Sequence, residues 1–358
     1  MNDTLRRCLD DLEARLDPLE EDALLGAWRD FAENRFRGDI FAPRRRRPSP
    51  PAVPWPRVSI NAALEDFDLM ALQQFGECSA QLAEAGGNVL NVRPNYGSSI
   101  AALLFGVEPF VMDAELETLP TSRPLNDVAA IRRLVDAGVP GLMTGYGARV
   151  MEMGARYAEI ARQYPRIGRY VFIYHPDLQG PMDICEVVWG SAIFYATRDE
   201  PALVRDLLEL AVATYIAFMR QWERIVPFRE EGNAHWGLFY RGNIMLRDDS
   251  AVNFSPRMFR EFIAPYDQRL LDEFGGGAIH FCGAGDHFIS SMSQLRGLHA
   301  IQLAQPELND MEKVYCQTVD KGIKLLALDR EAAELALARG RDLRGQVHCM
   351  PRISGHGV

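Results

Sequence analysis

The chain has 358 residues, 47% of them apolar and 25% charged, ordinary proportions for a globular protein with a sizeable core. Its 29 glycines and 21 prolines follow no fixed period, which excludes collagen-like and solenoid architectures. A net charge of −10 argues against a general nucleic-acid binder.

Residues 1–40 read as an amphipathic helical arm, with Leu5, Leu9, Leu12, Leu16 and Leu19 three to four positions apart. Charges every few residues leave no apolar core for a secretory signal. Residues 43–56, PRRRRPSPPAVPWP, form a linker that its prolines keep from being helical. Arg44–Arg47 read as a solvated turn, with an anion-binding patch as the other reading. A domain boundary is therefore expected after residue 56, with a single domain over 57–358.

Beyond the linker, β-like runs alternate with helical stretches. The runs are Val58–Ala62, Val89–Arg93, Tyr170–Tyr174, Leu238–Arg241, Ala278–Cys282, Ala300–Ala304, Ile323–Leu328 and Gln346–Cys349. Between them, Leu203, Leu207, Ala211, Tyr215, Phe218 and Trp222 mark one face of a buried helix. That stretch contains Glu209 and is too short to span a membrane. Ser255-Pro256 opens a helix over PRMFREFIAPYDQRLLDEF, Pro306 opens PELNDMEKVYCQTV, and Asp329 caps REAAELALARG. Repeated β-α units imply a parallel sheet, and about eight of them fit an α/β fold of the closed (β/α)8 TIM barrel type. No G-x-G-x-x-G follows the first strand. Gly275-Gly276-Gly277 reads as a helix-to-strand turn instead.

Chemistry in such a barrel sits where strands end. His280-Phe281-Cys282 closes one β-like run, and positions i and i+2 of a strand share a face. Imidazole and thiolate together suit zinc or another thiophilic metal. Cys349 closes the last run and is the expected third ligand; the other reading makes all three ordinary buried residues. His175-Pro176-Asp177-Leu178-Gln179 and Tyr240-Arg241-Gly242-Asn243 are further polar strand ends. Asp248-Asp249 reads as a solvated loop, with an acid/base pair as the alternative. The three lysines, Lys313, Lys321 and Lys324, are too few and too clustered to favour Schiff-base chemistry. The six scattered cysteines read as reduced, in a cytoplasmic protein.

In order along the chain, HPDLQGPMDICEVVWG, a helix after DEPALVRDLLELA, RGNIMLRDD, NFSPRMFREFIAPYDQRL and IHFCG resemble the uroporphyrinogen decarboxylase superfamily. The resemblance covers roughly residues 57–350. It implies a barrel with a deep pocket at the C-terminal ends of its strands, and one of two chemistries. One is cofactor-free decarboxylation of porphyrinogen acetates; the other is zinc-dependent methyl transfer between a corrinoid and a thiol. Decarboxylases of the superfamily carry an arginine-rich motif, R-Q-A-G-R, where this chain has NVRPNYGSS with Arg93 alone. The methyltransferases carry H-x-C on a late strand and a distant cysteine, matched by His280, Cys282 and Cys349. Two departures stand out. Cys349 lies in His-Cys-Met-Pro rather than a glycine-rich turn, and Gly355-His356-Gly357 is similar to a Gly-His-Gly of the decarboxylases, with a frayed tail as the favoured reading.

The expectation is thus a zinc-dependent methyltransferase acting on a small molecule, with a corrinoid on the substrate or on a partner protein. Asp177 and Tyr240 are the expected catalytic residues, and Arg93, Asn95, Tyr96, Gln179 and Asn243 the expected substrate contacts. The alternatives are a decarboxylase of a tetrapyrrole-like or other small acid, and a non-catalytic binding barrel. No nucleic-acid or membrane partner is expected.

Overall fold

A computed structural model describes residues 1–350; His356 lies outside the described residues. The chain begins with two helices rather than one. Asn2 caps Asp3–Arg15 by accepting the Leu5 amide at 2.8 Å, and Asp17 with Pro18 restarts the chain as Pro18–Ala32. Leu5, Leu9, Leu12 and Leu16 are buried as the spacing predicts, but the restart turns Leu19 out to 83% exposure.

The expectation that residues 1–40 are wholly helical fails at β1 (Ile40–Phe41), a strand parallel to Val347–His348 at the far end of the chain. Two residues flanked by charge give no β signal; the pairing is set by distant packing. Trp28 and Phe31 of the second helix cover Phe41 and His348, with ring centroids 4.5–5.0 Å apart for the closest pairs. In the arginine run, Arg44, Arg46 and Arg47 are exposed as expected. Arg45 is buried instead, bidentate to Glu21 at 2.6 and 2.8 Å.

Eleven further strands follow: β2 (Asn91–Val92), β3 (Glu108–Phe110), β4 (Thr121–Arg123), β5 (Phe172–Ile173), β6 (Asn233–His235), β7 (Leu238–Tyr240), β8 (Ile244–Arg247), β9 (Gly277–Phe281), β10 (Leu298–Leu303), β11 (Lys324–Leu325) and β12 (Val347–His348). Six of the twelve form a parallel sheet in the order β1-β12-β11-β10-β9-β8, and β2 pairs in parallel with β5. The pairs β3-β4 and β6-β7 are antiparallel hairpins. Helices pack throughout against one continuous hydrophobic cluster that runs from Leu5 to Cys349.

Four local expectations are corrected. Pro306 opens only a 3-10 turn over Pro306–Leu308, and the helix starts later, at Met311–Gln317, with Asp310 as its cap. Val58–Ala62 is not a strand: Ser59 Oγ accepts the Ala62 amide and starts a helix over Ile60–Glu65. Leu238–Arg241 does not supply a parallel strand, because β7 folds back on β6 and the parallel strand is the following β8. The helix expected over PRMFREFIAPYDQRLLDEF breaks at Ile263 into Pro256–Phe262 and Ala264–Glu273, since Pro265 has no amide to donate. The glycine turn is as expected: Gly275 and Gly276 both have positive φ before β9 begins.

Candidate metal centre

The register of the sheet assembles the centre. Arg247 on β8 lies beside His280 on β9, which lies beside Gln302 on β10. Just past the end of β8, Asp249 turns its carboxylate toward the same spot, and just past β9 comes Cys282. The Cys282 Sγ is 3.3 Å from His280 Nε2, and Asp249 Oδ1 is 3.4 Å from it. Ligand atoms of Asp249, His280 and Cys282 all lie within 4.8 Å of one another. A carboxylate, an imidazole and a thiol in such proximity are a set of donors for zinc or a similar divalent ion.

Each donor is held from behind. His280 Nδ1 meets Gln302 Oε1, which turns Nε2 toward the thiol and the carboxylate. Asp249 Oδ1 accepts the Cys282 amide at 2.8 Å, and Oδ2 accepts Arg247 Nη2 at 2.9 Å. Asp183, on the helix Pro181–Trp189, accepts the amides of Asp249 and Ser250 at 2.9 and 2.8 Å, fixing the turn that presents Asp249. Gly180 lets that helix approach: a Cβ there would meet Asp248 Oδ1 at 2.3 Å. Burial pushes the Asp249 carboxyl up, but its bonds to His280 and Arg247 outweigh this and hold it below the ordinary range. Burial likewise favours neutral His280, yet the bonds to Asp249 and Cys282 raise it to about 9.

A second polar corner lies across Arg247. Arg93, following β2, and Arg247 both reach Asp177, following β5, at 3.0 and 3.3 Å. Arg247 therefore bridges Asp177 and Asp249. Asp177 is buried between two guanidinium groups. Trp236, at the tip of the β6-β7 hairpin, sets its ring edge-on to His280 with centroids 5.1 Å apart.

The other expected residues divide clearly. Asn95 Oδ1, Tyr96 OH and Gln179 Oε1 are buried without a protein hydrogen-bond partner, and Gln179 has the left-handed φ of 23°. Tyr240 sits on the hairpin strand β7, fully buried, its hydroxyl without a protein partner and its ionisation pushed far up by burial. Asn243 precedes β8, at the end opposite Arg247, and accepts Asn233 Nδ2 at 2.8 Å. Neither joins the donors. Cys349 does not join them either: its thiol is buried, pushed up to about 12 by that burial, and its amide bonds Phe41 O. His348 points into the aromatic cover of Trp28 and Phe41.

Asp248-Asp249 is not the solvated loop expected. Asp248 is fully buried facing Asp267, and burial raises both carboxyls. Placing the parallel strand at Ile244–Arg247 would have put Arg-Asp-Asp at a strand end and exposed the third donor to sequence reading.

No family model and no curated protein matches the sequence. Among solved structures, the chain is similar to a methyltransferase from Methanosarcina mazei, with a TM-score of 0.60 and 14% identity. The likeness covers 91% of this chain and 92% of that one. The two share a fold.

Proposed function

We propose that this protein is a methyltransferase that activates a thiol acceptor on a zinc ion held by His280, Cys282 and Asp249, with a corrinoid as methyl donor. The observation that carries the reading is the convergence of those three donors, backed by Gln302, Arg247 and Asp183. The fold shared with a methyltransferase supports it. Zinc, when bound, lowers the pKa of a thiol that joins it, so that the acceptor attacks as thiolate. Three protein donors leave a fourth position for that acceptor. Gln302 fixes the imidazole tautomer, and Arg247 with the Cys282 amide orients the carboxylate. Asp177, held between Arg93 and Arg247, keeps the neighbouring cations in place rather than standing free as an acid.

The finer reading of the fold is a closed (β/α)8 barrel. Its eight parallel strands would be the six-stranded sheet together with β2 and β5. Support comes from the β5 side, where His175 Nε2 accepts the Met245 amide and the Gly180 amide bonds Arg247 O. Among the described residues all six cysteines are unpaired, and no helix is long and apolar enough to cross a membrane. The free thiols suit the reducing cytoplasm proposed for it.

The experiment is transfer of the methyl group of methylcobalamin to a small thiol, followed by the change in cobalamin absorbance. Wild-type protein should catalyse it and Cys282→Ala should not. Turnover of a porphyrinogen by metal-stripped protein, with no methyl transfer by the zinc-loaded protein, would instead favour the decarboxylase.

A further inference from the structure

Behind Trp236 lies a separate cavity of about 210 Å³, between the helix Phe67–Ala83 and the segment leading into β2. Glu77, Asn88, Arg93, Tyr174 and Trp236 are among its lining residues. The polar groups carry opposite character. Arg93 spends Nη1 on Asp177, and no hydrogen bond to a described residue engages its Nη2. The Glu77 side chain is exposed at the cavity's rim, and its carboxylate makes no ion pair or hydrogen bond among the described residues. Burial pushes the Glu77 carboxyl up and the Arg93 charge pulls it back, so the two groups sense each other. They form no direct ion pair, and both line the cavity. Tyr174 and Trp236 add aromatic surface for a short aliphatic part.

We propose that this cavity binds a small zwitterionic α-amino acid, its carboxylate on Arg93 and its ammonium group on Glu77. A free carboxylate at the rim and a guanidinium edge, both lining one small volume, match the two ends of such a molecule. The site is independent of the metal centre, though it shares Arg93 and Trp236 with the surroundings of that centre.

Calorimetric titration of the full-length, metal-free protein tests this with L-alanine, propionate and ethylamine as probes. L-alanine should bind, and propionate and ethylamine, each lacking one charge, should bind at least about tenfold more weakly. Glu77→Gln should weaken L-alanine by about tenfold or more and leave propionate unchanged, with the melting temperature preserved. Glu84→Gln, on the same stretch but outside the cavity lining, should leave L-alanine binding as in wild type. The proposal is overturned if L-alanine gives no binding, if propionate matches it, or if Glu77→Gln has no effect on it.

Discussion

The two polar corners joined by Arg247 use the same kinds of groups to opposite ends. In the β8-β9-β10 corner, the donors His280, Cys282 and Asp249 are tied to one another and to Gln302, Arg247 and Asp183. In the corner beyond β2 and β5, the charges of Arg93 and Asp177 cancel, while Asn95, Tyr96 and Gln179 each keep a buried polar atom without a protein partner. A fully connected set of donors is rigid and selects what binds by geometry. Unpartnered buried groups hold nothing in place and so contribute little to the rigidity of their corner. The first corner is a connected set of donors, the second a set of buried polar groups that the fold leaves unpaired.

The largest effect expected from breaking this division lies in the charge pair. Asp177→Ala leaves two guanidinium groups facing each other in a buried place and should cost about 3–5 kcal/mol in denaturant unfolding. Glu159→Ala, which removes the partner of Arg162 on an exposed helix face, should cost less than about 1 kcal/mol. Equal losses would mean that the buried corner is not special.

Next comes the support behind the donors. Gln302→Ala should weaken zinc by about 10–100-fold, read by competition with a chelating dye, with little change in melting temperature. An unchanged zinc affinity would separate Gln302 from the centre.

A smaller effect is the pH response of metal-free protein. His280 is raised from 6.5 to about 9, so the stability it contributes is fully present below 6.5 and lost as pH rises through about 9. Asp249 is lowered from 3.8, so its share is present above 3.8 and lost as pH falls through its depressed value. The stability gap between wild type and Asp249→Asn, measured with a chelator, should thus be widest between these limits and shrink toward pH 9. A gap that widens with rising pH would contradict the Asp249–His280 pairing.

The smallest effect on stability is expected in the corner beyond β2 and β5. Tyr96→Phe removes a hydroxyl without a protein partner and should change stability by no more than about 0.5 kcal/mol. It should raise KM for the methyl acceptor or donor while leaving zinc affinity alone. A large destabilisation would show that the hydroxyl serves the fold instead.

Much of this division was legible in the sequence. His-x-Cys at the end of an apolar run places both side chains on one face by strand geometry alone, and β9 confirms the run. The strands β2, β5, β10, β11 and β12 all fall within or near expected β-like runs, because alternating helices and strands leave short apolar segments between recognisable caps. Ile40–Phe41 was hidden, since two residues acquire strand character only from a partner some three hundred positions away. Ile244–Arg247 was overshadowed by the aromatic LFY just before it, a stronger local β signal that belongs to a hairpin. That one shift also concealed Asp249, whose role depends on register with His280 rather than on any motif. Asp183 acts through two backbone amides far along the chain, and no side-chain pattern announces such a contact.

Metal content tests the central claim most directly, because Asp249 and Cys349 compete for the third position. Purified protein equilibrated with zinc and then dialysed should retain about one ion per chain. Cys282→Ala and Asp249→Ala should each lose most of it while staying folded, and Cys349→Ala and Cys316→Ala should retain it. A wild-type protein that holds no zinc, or an Asp249→Ala protein that binds it as tightly as wild type, would contradict the assignment.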